Sequence, residues 1–378
     1  MELSNNIKLM CRIRPNFKNN ENCVTNKNNE IFVEKKQPGI IKTHQSQLKY
    51  SFNKVFGQDD VNIDVYDYIG IEMIKYVIKH KKNVTFYVYG QTGSGKTHTL
   101  LGGNKEKGIL QEVLDDMIEI GYDTKICALE IYNNKCYDLL QNKKKVHQRD
   151  NGARDFVFPG VVLKPLKNAK DIADFNDIIS NNRKVGVSSE NDTSSRSHLL
   201  IEIRINGQFL RILDLAGCEK ANQAICKSRQ EYYENGEINQ NLFALKECIR
   251  CLLKKQSHIP YRRCELTKML KQSFEPGNQT YILATISPYM SACHTSIDVL
   301  NYINSIKNIK TQLPQKSSFQ QFLGSPRFNN FMEKKNVLTQ LSIKEKNLLE
   351  SMVQEKTTRV HMDLYLDVLD QKKKLLAK

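Results

Sequence analysis

The residues best suited to chemistry stand together at Gly90-Gln91-Thr92-Gly93-Ser94-Gly95-Lys96-Thr97, which matches GxxxxGK[ST] in full. The run follows the apolar stretch VTFYVY and precedes a helix-compatible one, the context that a phosphate-binding loop requires. Its glycines let the backbone wrap closely around phosphates, with the N–H groups pointing inward. Lys96 is placed to reach β- and γ-phosphates, and the Thr97 hydroxyl to hold Mg²⁺. Such a loop needs an acidic residue at the end of a neighbouring strand for the metal shell. The run FLRILD (209–214) supplies it in Asp214, acting on the metal or its waters, and Gly217 just beyond offers an N–H to the γ-phosphate. Upstream, NDTSSRSH (191–198) sets Ser194, Ser195 and Arg196 ahead of the strand-like LLIEIRI. Hydroxyls and an Arg suit a loop that closes over phosphate and positions an attacking water.

These groups need a rigid frame. Strand-like runs are expected at Ile7–Ile13, Val84–Tyr89, Ile126–Ile131, Leu199–Ile205, Phe209–Leu213 and Tyr281–Ile286. Helical spacing is expected from Thr97–Leu101 onward and at Asp171–Asn181, Glu237–Leu253, Cys264–Ser273 and His294–Ile306. Their alternation predicts an α/β fold, a mostly parallel central sheet with helices on both faces. The texture changes after residue 310. Residues 1–310 read as one catalytic domain, 311–332 as a linker with Pro, Gly, Ser and Gln, and 333–378 as a charged, helical tail.

Across 378 residues the formal net charge is +16, from 57 Lys and Arg against 41 Asp and Glu. That excess points to a polyanionic partner (nucleic acid, an acidic membrane or an acidic protein surface) or to a lineage rich in Asn and Lys. The ten Cys have no regular spacing, and Cys127, Cys248 and Cys251 lie in apolar runs where a free thiol behaves as a small hydrophobe, so neither a disulfide scaffold nor a zinc site is expected. No apolar run approaches the ~20 residues that span a bilayer. The start lacks the apolar core of a signal peptide, and a reduced cytosolic protein is expected.

In this order and spacing the motifs resemble the kinesin superfamily. GQTGSGKTHT (90–99) is similar to its P-loop, NDTSSRSH (191–198) to switch I and DLAGCE (214–219) to switch II. CRIRP (11–15), EIYNNKCYDLL (130–140) and HIPYRRCELTKML (258–270) extend the likeness over about residues 7 to 310. The resemblance implies a kinesin motor fold and a microtubule-stimulated ATPase with ATP or ADP and Mg²⁺ as ligands. It implies that Arg12, Arg14, Pro15 and His98 border the adenine, and that Gly90 to Thr97 hold the phosphates. Ser194 and Ser195 would close on the γ-phosphate, the water and the metal, whose shell is Thr97, Ser195 and, through water, Asp214. Arg196 and Glu219 would form the salt bridge between the switches that closes with ATP and orders the water chain for hydrolysis.

The same resemblance makes tubulin the partner, rather than nucleic acid or membrane, and places the protein in the cytoplasm on the microtubule cytoskeleton, the spindle being one setting. Lys254, Lys255, His258, Arg262 and Arg263 would face tubulin, as would Lys143, Lys144 and Lys145 with His147, Arg149 and Arg154. The string Lys246-Glu247-Cys248-Ile249-Arg250 is similar to kinesin-13, which bends tubulin at microtubule ends and depolymerises the polymer. Within that helix, spacing buries Leu242, Leu245 and Ile249 and turns Lys246, Glu247 and Arg250 outward. The chain departs from kinesin-13 in two places. No Lys-Val-Asp tip occurs, Lys42-Thr43-His44 standing roughly at its place, and the basic neck before the motor is missing, as in an excised motor. A translocating kinesin and an ATP-regulated microtubule tether are the alternatives. In isolation the motor domain is expected to be a monomer.

Overall fold

The strand runs and amphipathic stretches assemble into a ten-stranded mixed sheet between two helical layers. The computed structural model describes residues 7–17, 21–34, 47–103, 106–150, 156–184, 196–219, 229–254, 256–275, 277–307 and 371. The chain divides into two units, Met1–Pro314 and Gln315–Lys378, and the fold below is that of the first. The predicted linker and, apart from residue 371, the predicted tail lie outside the described residues.

In chain order the elements begin with β1 (Ile7–Ile13), β2 (Val24–Lys27), β3 (Glu30–Glu34), β4 (Gln47–Ser51) and β5 (Lys54–Phe56). There follow α1 (Asn62–His80), β6 (Val84–Gly90), α2 (Lys96–Leu101), β7 (Gly102–Gly103), β8 (Glu106–Lys107) and α3 (Ile109–Ile120). Next come β9 (Thr124–Tyr132), β10 (Lys135–Asp138), β11 (Lys144–Val146), β12 (Arg149–Asp150), β13 (Phe156–Val157), β14 (Lys164–Leu166) and α4 (Ala169–Lys184). The last are β15 (His198–Ile205), β16 (Gln208–Asp214), α5 (Arg229–Leu253), α6 (Glu265–Leu270), β17 (Gln279–Ile286) and α7 (Cys293–Lys307).

The main sheet runs β11-β10-β9-β15-β16-β6-β17-β1-β5, with β14 also on β9. It is parallel from β5 to β16 and antiparallel from there to β11, so the expectation of a mostly parallel sheet holds for one half only. The connections explain the division. Asn133-Asn134 and Asn206-Gly207 all take positive φ, and two-residue turns of that kind join antiparallel neighbours. Strands in the parallel half are joined instead by crossovers that lay helices on the faces.

β6 shows why VTFYVY is continuously apolar. Val84, Phe86 and Val88 pack with α1, α3 and α4 on one face, while Tyr87 and Tyr89 pack with α5, α6 and α7 on the other. A strand covered on both faces has no polar side to display. Two helices, α1 and α3, have no counterpart among the predicted elements. α1 buries Val65, Ile69, Met73 and Val77 at helical spacing. A small antiparallel sheet, β2-β3-β4, folds from Asn- and Lys-rich sequence and buries Val24, Ile31 and Val33. Among the described residues no helix is long and apolar enough to cross a membrane.

Candidate nucleotide site and partner face

β6 delivers Gly90 at its C-terminal end between β16 and β17, the edge where open α/β sheets bind ligands. A Cβ on Gly90 would stand 2.2 Å from the Thr285 carbonyl oxygen, so the close approach of backbones requires glycine there. The loop then turns through left-handed Gly93 and Gly95, at φ 75° and 97°. It is closed by its own bonds. Ser94 Oγ donates to the Gln91 carbonyl at 2.7 Å, and Lys96 Nζ donates to the carbonyls of Gly90 at 3.0 Å and Gln91 at 2.9 Å.

Where the loop enters α2, Thr97 Oγ1 donates to Asp214 Oδ2 at 2.7 Å. Asp214 is 1% exposed, and its Oδ1 is buried with no hydrogen-bond partner among the described residues. A carboxylate oxygen in that position suits a divalent cation. Arg183 Nη1 lies 3.6 Å from Asp214 Oδ2. His198 Nδ1 accepts the Ala216 N–H at 3.0 Å. Burial, with Lys96 and Arg183 nearby, pushes the His198 imidazole down to about 3, so it stays neutral and adds no third cation beside the phosphate loop.

The predicted pairing between switches is not made in this structure. Glu219 takes the Thr92 N–H at 2.9 Å and the Thr92 hydroxyl, tying switch II to the phosphate loop. Arg196 lies instead 3.1 Å from Glu234 on α5, which also accepts from the Tyr132 hydroxyl at 2.5 Å. Each group has found a nearer partner. Gly217 presses against the loop, since a Cβ there would meet Thr92 Oγ1 at 2.3 Å. Ser194 and Ser195 lie outside the described residues.

A cavity of about 580 Å³ opens beside the loop, lined by Arg12, Arg14, Pro15, Thr92 to Thr99 and the 58–61 turn. It gathers the predicted adenine edge and the phosphate loop into one site, in which Arg12 also has bonds of its own. Its buried guanidinium donates to Asn62 Oδ1 at 2.5 Å, Thr99 Oγ1 at 2.8 Å and the Asp60 carbonyl at 3.1 Å, clamping β1 to α1 and α2. Those bonds hold the wall of the cavity that Arg12 itself lines. Arg14 donates to the Gly93 carbonyl, and its guanidinium lies 5.7 Å from the Phe17 ring. His98 is exposed, its Nε2 3.6 Å from Glu106. Phe17, 75% exposed at the cavity mouth, was not singled out in the sequence, although an aromatic two places after Pro15 was available as a signal.

On α5, Leu242, Leu245 and Ile249 are buried and Lys246 and Arg250 exposed, with Glu247 paired to Arg250 at 2.8 Å. Lys254, His258, Arg262 and Arg263 are exposed on the segment that follows, and Lys255 lies outside the described residues. Phe243 was missed. It is 51% exposed, with the Arg263 guanidinium 5.3 Å from its ring, an apolar anchor in a basic field. Lys144 and Lys145 are exposed on β11. Lys143 is not a surface cation of the same kind. Its Nζ lies 3.0 Å from Glu130, a carboxylate at 3% exposure, because left-handed backbone at φ 58° sends it a different way from its neighbours.

Kinesin-like protein KIF24 of Homo sapiens is 32% identical over 301 residues, 76% of this chain and 22% of that protein. Kinesin-like protein KIN-13B of Arabidopsis thaliana is 30% identical over 324 residues, 80% of this chain and 47% of that protein. The chain thus spans less than half the length of these curated relatives. A solved structure of KIF14 residues 391–772, a dimer with AMP-PNP in complex with a microtubule, matches with TM-score 0.71 at 23% identity. The match covers 84% of this chain and 98% of that one, a likeness of fold. The family model described as the kinesin motor domain matches residues 12–309, and the chain therefore belongs to the kinesin family.

Proposed function

We propose that this chain hydrolyses ATP with Mg²⁺ and couples the reaction to microtubules in the kinesin-13 manner, bending tubulin at polymer ends so that it is released. The observation that carries the reading is the shared use of α5. One end brings Glu234 to Arg196, beside the switch, and the other presents Lys246, Arg250 and Phe243 to a partner. The likeness to KIN-13B and the Lys-Glu-Cys-Ile-Arg string support the depolymerising form.

In this mechanism the loop amides and Lys96 gather charge from the β- and γ-phosphates. Thr97 and, through water, Asp214 would hold Mg²⁺, which would supply further neutralisation of the phosphoryl oxygens. Arg14 and His98 border the base, while Arg12 keeps the wall in place. Positioning and charge neutralisation supply most of the rate in phosphoryl transfer, so no separate strong base is required. The basic face of α5 and of Tyr261–Arg263 meets the acidic tubulin surface, with Phe243 filling an apolar recess. The protein works in the cytoplasm on the cytoskeleton.

The test is ATP turnover against increasing stabilised microtubules at low and high salt. Turnover should rise with polymer and the apparent affinity should fall with salt. Arg263→Glu should weaken that affinity by about tenfold, since it reverses a charge and removes the support of Phe243. Turnover indifferent to polymer at either salt would sink the proposal.

A further inference from the structure

A continuous polar chain crosses the sheet from the β10–β11 connection to the phosphate loop. It starts at Lys143, whose side chain is 25% exposed, with Nζ 3.0 Å from Glu130 Oε2. Glu130 Oε1 accepts from Ser197 Oγ at 2.8 Å. Ser197 Oγ in turn accepts from Arg183 Nη2 at 3.5 Å, and Arg183 Nη1 lies 3.6 Å from Asp214 Oδ2. That same oxygen accepts from Thr97 Oγ1 at 2.7 Å. The order is cation, carboxylate, hydroxyl, cation, carboxylate, hydroxyl. Glu130, Ser197, Arg183 and Asp214 are all buried.

Burial makes such a chain sensitive to its end. A carboxylate out of water needs a cation or donors on both oxygens, and Glu130 has Lys143 on one and Ser197 on the other. Taking Lys143 away leaves a buried charge that must move or bind a proton. Either response withdraws the acceptor from Ser197, and Ser197 is the next residue after Arg196 on the switch. The disturbance then reaches Arg183 and the carboxylate that Thr97 touches.

We infer that Lys143 is a positioning residue for the phosphate site, acting through Glu130, Ser197 and Arg183 on the Thr97–Asp214 pair, rather than a surface cation. The inference rests on the reading of that pair as part of an ATP-hydrolysing site. It gives the site a second line to the partner face. Lys144 and Lys145, next in sequence and exposed, are pulled by an acidic partner at the same connection that holds Lys143.

The experiment is steady-state ATP hydrolysis by the full chain without microtubules, alongside thermal melting. Lys143→Met should lower kcat by roughly tenfold, within the range of residues acting through a packed network, and change KM by less than about twofold. Lys143→Arg, which keeps the cation, should retain most of the activity. Lys143→Met with Glu130→Gln removes the ion pair together and keeps an acceptor for Ser197, so it should recover kcat to within about threefold of wild type. That double variant also guards against a single variant that fails to fold. Unchanged kcat in Lys143→Met, or a double variant as slow as the single, overturns the inference. Wild type that binds and turns over no ATP overturns the ATPase reading instead. The chain is then decided by melting Lys143→Met, Asp214→Asn and their combination. Shifts in midpoint that fall short of additive support it, and strictly additive shifts refute it.

Discussion

Lys96→Ala is expected to lower kcat for ATP by about a thousandfold while leaving the melting midpoint nearly unchanged. The loss follows from where charge develops. A loop lysine that follows the transferring phosphoryl group neutralises oxygens whose charge grows toward the transition state, and removal of one such group costs about 10²–10³ or more in rate. Stability should hardly suffer, because the ammonium sits buried with Arg183 near enough for both to push His198 down. Removing one cation from a crowded positive site relieves repulsion and offsets the two lost carbonyl contacts at Gly90 and Gln91. Steady-state hydrolysis and a thermal melt on the same preparation check both halves. Retained turnover would place the chemistry elsewhere, and a collapsed melt would make Lys96 a structural residue.

Arg211→Met should do the opposite, costing about 3 kcal/mol of stability and roughly 6 °C in melting midpoint. Arg211 Nε donates to Glu202 Oε2 at 2.7 Å, Nη1 donates to the Met269 carbonyl at 3.1 Å, and the guanidinium lies 3.9 Å from the Phe209 ring. Desolvation pushes the Glu202 carboxyl up, but Arg211 and then Arg204 outweigh it and hold the group below its usual range. A carboxyl with a depressed folded value stabilises the fold above its unfolded value and loses that contribution as pH falls. The cost of Arg211→Met should therefore be largest near neutral pH and shrink as acid protonates Glu202. Adding Glu202→Gln should recover much of the loss. Melts across pH decide it, and a small, pH-independent cost would show that Arg204 alone satisfies Glu202.

The parts of this protein that were legible in the sequence are those whose chemistry is local. The phosphate loop needs its glycines and lysine at fixed spacing, and β6 reads as a strand because both its faces are covered. Asp214 and Thr97 are far apart in sequence, and only the order of the motifs joined them before the 2.7 Å contact did. What the motifs alone do not show is where a long side chain ends. Arg12 belongs to the expected motif, yet its guanidinium closes on Asn62, Thr99 and Asp60. Arg196 and Glu219 are both where the switches should be, yet each bonds elsewhere. Lys143 reads as one of three lysines facing tubulin, and a left-handed backbone turns it toward Glu130. α1 escaped notice because Gly70 and several β-branched residues dilute its helical signal. The small sheet escaped because its apolar positions alternate within Asn- and Lys-rich sequence. The contested tip, Lys42-Thr43-His44, lies outside the described residues.

The most direct measurement is release of tubulin from stabilised microtubules. The chain is incubated with polymer and ATP, the polymer is sedimented, and tubulin is measured in the supernatant beside a Lys96→Ala control. The expected result is tubulin in the supernatant with the wild-type chain and none above background with Lys96→Ala. Polymer that stays in the pellet while ATP turnover rises with microtubules would contradict it, leaving a kinesin that binds or walks without dismantling its track.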